Sequence, residues 1–338
     1  SEASGGIRAT AINGNNWLCV GASPANASYG RVEYSSNAGA SWNNVDIVNS
    51  QALNSVRYGN GAFVTGGNLG RNIYRSTNNG ASWTTVFTRT GGIIYSTWYD
   101  ATTNVWMAVG ESESAGYGTT IRSTDGGSSW TYTDLSGIKD NVTTSGNGRW
   151  FATRHDQAAG VYYSDDLGVT WNNISGVSTN GGVLKAISVD PDGNVYFIQG
   201  GAPMTLYKIP VGTTTAVAMP GATAPDKGPV FAHGDGIVTV FNGNGLYNTY
   251  NEGLTWEKVP VTPVSVGNTN YQAFTETGIL AANTQIPLGF QYVPNYLDLT
   301  TLTLTNDTNL ANLRVGDVVT GSVFTVPAQT WSNTLKNE

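Results

Sequence analysis

Ser123-Thr124-Asp125-Gly126-Gly127-Ser128-Ser129-Trp130 is one of five copies of an eight-residue pattern, Ser/Thr-x-Asp/Asn-x-Gly-x-Ser/Thr-Trp. The others are Ser35–Trp42, Ser76–Trp83, Ser164–Trp171 and Thr249–Trp256. Each has the makings of a tight turn. The Asp or Asn side-chain oxygen can accept backbone N–H bonds, and the Gly can take the left-handed conformation that other residues resist. The Trp that opens the next strand offers a large ring for burial, but its indole N–H then needs a partner nearby. Successive Trp residues of the octapeptides lie 41, 47, 41 and 85 positions apart. The last gap is two periods, so a degenerate copy is expected between 171 and 256.

Moving outward, a second signal keeps the same period. Gly/Asn/Asp clusters centred near 14, 60, 102, 147, 192, 235 and 277 each precede a short apolar run such as Val105–Val109 or Val195–Ile198. Such clusters suit hairpin turns because these residues tolerate positive φ. Each period therefore predicts four short strands: two joined by the Gly/Asn/Asp turn and two by the octapeptide. No segment sustains a 3.6-residue period. Seven four-stranded units repeating every 40–45 residues predict an all-β chain, a seven-bladed β-propeller over 7–304. Residues 305–338 fall outside the repeat and read as a short C-terminal β extension, with strands on either side of a polar turn.

Composition narrows the function. The chain has 338 residues, 16 basic and 23 acidic side chains, a net charge of −7 and a charged fraction of 12%, about half the usual quarter. Scattered cations on an acidic chain argue against nucleic-acid binding, which needs clustered positive charge. No apolar run reaches 18 residues, so no membrane-spanning helix is expected. Cys19 is alone and the imidazoles are His155 and His233, too few for a His- or Cys-based zinc site. No motif calls for a metal or an organic cofactor; Asp190 and Asp192 could hold Ca²⁺ but read more simply as an Asp-Pro-Asp-Gly turn. Ser1–Gly6 lack the basic and apolar regions of a signal peptide. The missing initial Met and the ending at Asn337-Glu338 read as a processed piece or fragment of a longer protein.

The octapeptide resembles the Asp-box, or bacterial neuraminidase repeat, of sialidases and many other propellers. That resemblance covers most of 7–304 and implies the propeller fold, not an activity. The phrase Leu313-x-x-Gly316-Asp317-x-Val319 is similar to one in virion and tail-fibre proteins of marine phages, and the Asn-, Thr-, Ser- and Gly-rich composition is common in phage adhesins. Arg122-Ser123-Thr124-Asp125-Gly126-Gly127 is similar to turns of the photosystem II assembly-factor propellers, which present a basic patch to their partner.

A site is expected on the end of the blades that carries the loops between second and third strands, since loops on a rigid scaffold carry function. The candidates there are Arg71, Glu111, Tyr117, Arg154, His155 and Asp156, with Glu113 and Arg89 beside them. Three readings follow. A sialidase-like glycosidase would need three arginines, such as Arg71, Arg89 and Arg154, converging on a sugar carboxylate, with a Tyr and a Glu nearby. The Phe/Tyr-Arg-Ile-Pro element of that family has only Gly6-Ile7-Arg8-Ala9-Thr10 as a counterpart. An assembly-factor-like scaffold would need a contiguous cationic patch. A non-catalytic module, extracellular or on a virion and binding a host-surface glycan or protein alongside other virion proteins, needs amide- and hydroxyl-rich loops with exposed aromatics. The last fits the composition best.

Overall fold

The computed structural model describes residues 6–69, 71–113, 117–136, 142–144, 148–154, 160–177, 187–199, 204–221, 224, 230–242, 245–258, 273–275 and 278–280. The chain divides into a unit of Ser1–Gln291 and a unit of Tyr292–Glu338. The second lies outside the described residues, and so does the expected C-terminal extension.

Every regular element among the described residues is a β-strand. Sheet 1 comprises β1 (Ile7–Asn13), β2 (Asn16–Ala22), β3 (Gly30–Ser35) and β4 (Asn43–Ile47). Sheet 2 comprises β5 (Leu53–Gly59), β6 (Ala62–Gly67), β7 (Ile73–Ser76) and β8 (Thr84–Phe87). Sheet 3 follows with β9 (Ile93–Asp100), β10 (Val105–Glu111), β11 (Tyr117–Ser123) and β12 (Thr131–Ser136). Sheet 4 has β13 (Val142–Thr144), β14 (Trp150–Arg154), β15 (Gly160–Ser164) and β16 (Asn172–Asn173). Sheet 5 has β17 (Ile187–Val189), β18 (Val195–Gln199), β19 (Thr205–Ile209) and β20 (Val217–Ala218). Sheet 6 has β21 (Val230–Gly234), β22 (Ile237–Asn242), β23 (Gly245–Thr249) and β24 (Glu257–Lys258), and a hairpin of β25 (Ala273–Thr275) and β26 (Gly278–Leu280) ends the described chain. Each four-stranded sheet is an antiparallel meander whose spatial order is its chain order. The first strands β1, β5, β9, β13, β17 and β21 stand side by side in that order, and β25 lies beside β1.

Alternation along the second strands explains how the sheets stack. Phe63 packs with Leu18 and Val20 of sheet 1, while its neighbour Val64 packs with Trp106 and Ile121 of sheet 3. Met107 meets Trp150, Phe151 meets Phe197, and Tyr196 meets Val238. A strand covered on both faces must be apolar at every position, which is why Val105–Val109 and Val195–Ile198 read as unbroken apolar runs. Each such side chain contributes about 1.5–3 kcal/mol on burial.

The octapeptide closes the third and fourth strands by a bond ring of its own. Ser123 Oγ donates to Asp125 Oδ1 (2.7 Å) and accepts from Gly127 N (3.0 Å). Asp125 Oδ1 also accepts from Ser128 N and Ser129 N, and Ser129 Oγ donates to Asp125 Oδ2 (2.6 Å). Where Asn replaces Asp, the last hydroxyl turns round: Asn37, Asn78 and Asn251 donate Nδ2 to Ser41, Ser82 and Thr255. The indole N–H of Trp42, Trp83, Trp130 and Trp171 donates to the carbonyl of the Gly three residues earlier, at 3.0–3.2 Å. That Gly is doubly constrained. At Gly80, φ is +91°, and a Cβ would sit 2.9 Å from Leu18 of the preceding sheet.

Sheet 5 is the degenerate copy. Its β19–β20 turn has Thr213 N donating to Pro210 O (3.1 Å) in place of the octapeptide ring. In its first hairpin Asp190, almost wholly buried, accepts from Asp192 N, Asn194 N and Asn194 Nδ2 at 2.8–3.0 Å. Its carboxylate is thus committed to the Asp-Pro-Asp-Gly turn. Asp100 does the same in sheet 3 and also reaches Gly148 N of sheet 4 (3.3 Å).

Candidate functional site

In the sheets that carry the octapeptide, it shares one end with the first hairpin turn, as where Ala38 N donates to Asn15 O in sheet 1 and Glu252 N to Gly236 O in sheet 6. The loops between second and third strands occupy the other. At that loop end, sheets 2 and 3 bring together residues far apart in sequence. Arg71 stands in the β6–β7 loop with φ +51° and its side chain wholly buried. Its Nη1 donates to Asp134 Oδ1 on β12 (2.9 Å) and its Nε to Gly91 O (3.2 Å), while Nη2 lies 4.0 Å from Glu113 Oε2. Arg89, in the link between β8 and β9, approaches the other oxygen of Glu113 at 3.6 Å. Thr90 Oγ1 donates to Glu113 Oε2 (3.0 Å). Tyr132 on β12 takes the Arg89 guanidinium over its ring, 4.2 Å from the centroid.

Two cations therefore face two carboxylates, and the cluster is neutral. Glu113 is 42% exposed and Asp134 31% exposed, so Coulomb attraction is screened at the rim and strongest at the buried Arg71. Glycines 91 and 92 let the link pass this close: a Cβ on Gly92 would meet Arg71 at 2.8 Å and the Glu111 carbonyl at 2.2 Å. Beside the cluster, Tyr117 opens β11 with about half its surface exposed. Glu111 pairs with Gly118 at the end of β10, half-buried. Arg154 pairs with Gly160 at the end of β14, and the Arg71 cluster does not include it. His155 and Asp156 lie outside the described residues.

Among the described residues Cys19 and His233 are closed off. Cys19 is buried, and desolvation, reinforced by the nearby Glu33 charge, pushes its thiol far up, which leaves it without thiolate character. Burial lowers the pKa of His233, whose Nε2 lies 2.9 Å from Thr239 Oγ1. Trp98 is covered by Arg57, whose guanidinium carbon is 3.4 Å from the ring centroid. Among the described residues no group of three His, Cys, Asp or Glu side chains could hold a metal ion.

Sequence reading missed Asp134 and Tyr132. Both belong to Thr131-Tyr-Thr-Asp-Leu-Ser136, whose polar alternation marks an outer strand but says nothing about a loop 63 residues earlier. Arg71 carried the signal of a polar residue beside loop glycines, but its burial had none.

No protein-family model matches the chain, and no curated protein matches it in sequence. Solved structures are similar to it in fold. A GH74 xyloglucanase from Xanthomonas campestris aligns with a TM-score of 0.58 at 15% identity over 76% of this chain. The chain spans 46% of that enzyme's length. YCF48 from Cyanidioschyzon merolae aligns with a TM-score of 0.60 at 14% identity, over 83% of this chain and 94% of that one. YCF48 bound to D1 peptide gives 0.57 at 15% identity, over 76% and 82% of the two chains. At such identities the likeness carries the fold, and the chain is a β-propeller.

Proposed function

We propose that this propeller is a non-catalytic recognition module, of the kind carried extracellularly on a phage virion or tail fibre, and that the loop end of its blades reads a host-surface glycan. In this reading the propeller has seven blades, the seventh built on the β25–β26 hairpin, and its octapeptides are Asp-boxes. The phage assignment draws on the Leu313–Val319 phrase and the Asn- and Thr-rich composition.

One observation carries the reading: the loop-end cations Arg71 and Arg89 are matched by Asp134 and Glu113, while the Tyr117 side chain beside them is about half exposed. Such a surface suits a neutral, hydroxylated ligand held by stacking and hydrogen bonds. It suits the alternatives less well. A carboxylate clamp needs both terminal nitrogens of its arginines turned to the substrate, whereas Arg71 is buried and directs Nη1 to Asp134. A scaffold of the assembly-factor type needs an unmatched cationic patch, and these charges are matched. The solved complex of YCF48 with D1 peptide keeps a peptide ligand in view for this fold.

The test measures hydrolysis of a fluorogenic sialoside and retention on immobilised surface glycans with one preparation. Retention without turnover is expected. Turnover at rates above the uncatalysed background would replace this reading with the glycosidase one.

A further inference from the structure

The octapeptide end of the molecule holds a second feature, independent of the loop-end reading and at the opposite end of the strands. Between sheets 2 and 3 lies a hollow of about 180 Å³ lined by Arg75, Thr77, Ser82, Thr84, Val86 and Ser128. Its lining has four hydroxyls and a guanidinium and no carboxylate. Arg75 Nε donates to Gly126 O (3.0 Å), which fixes the side chain across the joint between the sheets. Among the described residues the terminal nitrogens of Arg75 have no partner.

Comparison with the other sheets shows which group is lacking at Arg75. The third-strand residue that pairs with the first residue of the fourth strand is Tyr34, Arg75, Arg122, Tyr163, Lys208 and Asn248 in sheets 1 to 6. Lys208 reaches the fourth octapeptide position of the next sheet, Glu252, and forms an ion pair with its carboxylate. Arg75 makes the same reach and meets Gly126, which offers only its carbonyl. The equivalent of the Glu252 carboxylate is missing. In the adjoining joint Arg122 faces a sheet whose fourth position is Leu167, and its Nε is buried without a hydrogen-bond partner among the described residues. A cation fixed at its Nε, with free forked donors and hydroxyls around it, is complementary to an oxyanion.

We infer that the hollow at Arg75 is an oxyanion subsite, taking a sulfate, phosphate or carboxylate group borne on a sugar-sized ligand where Glu252 supplies the counter-charge in the sheet 5–sheet 6 joint. Binding of inorganic sulfate, inorganic phosphate, glucuronate and neutral glucose is measured by heteronuclear NMR titration at constant ionic strength. The wild type is expected to take up at least one oxyanion saturably and glucose not at all; which anion binds tighter distinguishes a sulfate or phosphate ester from a uronic acid. Arg75→Gln should weaken that uptake about tenfold or more. Gly126→Glu should do the same by installing the missing counter-ion. Position 126 has φ +74°, which strains any side chain, but its equivalent Glu252 holds φ +55°, and the new Cβ would meet only the end of the Asn60 amide, at 2.7 Å. Lys208→Gln should leave the affinity unchanged. Absence of saturable binding, equal binding of glucose, or affinity unmoved by both Arg75→Gln and Gly126→Glu would overturn the assignment.

Discussion

Asp125 and Asp166 are exposed carboxylates whose protonation nevertheless bears on the fold. Hydrogen bonds from Ser129 Oγ, Ser129 N, Ser123 Oγ and Ser128 N hold Asp125 well below the usual carboxylate range. For Asp166 desolvation pushes upward, but bonds from Thr170, Ser164 and Val169 outweigh it and bring the group down to about 2. An unfolded Asp titrates near about 3.9. The stability these groups contribute is therefore complete above that value and is lost as pH falls through the folded-state values. Asn serves in the same position at 37, 78 and 251, so the Asp125→Asn, Asp166→Asn double variant should fold. Its urea midpoint should fall less than that of the wild type between pH 4.5 and 2, as followed by Trp fluorescence. Ser76→Ala removes both the donor to Asn78 and the acceptor for Gly80 N, at a cost of about 1–2 kcal/mol in the same assay at pH 7. These turns were legible in the sequence because every bond in the ring joins residues within eight positions. Arg71 was legible as a polar loop residue, but its partner Asp134 was not, since that pairing exists only once sheets 2 and 3 are stacked.

At the scale of the element, a sheet is held by its neighbours more than by its turn. Sheet 5 shows this: it has lost the octapeptide, yet Val195 and Phe197 pack toward sheet 4 while Tyr196 and Ile198 pack toward sheet 6. The Phe197 ring also stacks on Tyr207, with centroids 5.2 Å apart and planes within 4°. Phe197→Ala should lower the unfolding free energy by about 3–5 kcal/mol, more than the loss of one turn hydroxyl. Equilibrium urea denaturation checks both values on one scale. The strand was visible in the sequence for the same reason that it is stable, because an apolar run bounded by Asp190–Asn194 and Gly200-Gly201 fits a strand buried on both faces.

For the whole molecule, the matched charges at the loop end and the unmatched Arg75 at the octapeptide end predict different salt responses. Glycan retention at the loop end should change less than about twofold between 50 and 500 mM NaCl, because little long-range attraction is there to be screened. Uptake of an oxyanion at Arg75 should weaken several-fold over that range. Titration of each ligand at both salt concentrations checks the contrast. The propeller could be read from repeat spacing, a property of the entire chain, whereas the function could not, because it depends on which loop-end charges find partners across sheets. The most direct test of recognition by the loop end is a glycan array probed with the wild type and with Tyr117→Ala, after thermal denaturation has shown equal stability. Selective retention by the wild type that falls about tenfold or more in the variant is predicted. Equal retention by both, or no retention of any glycan, would contradict it.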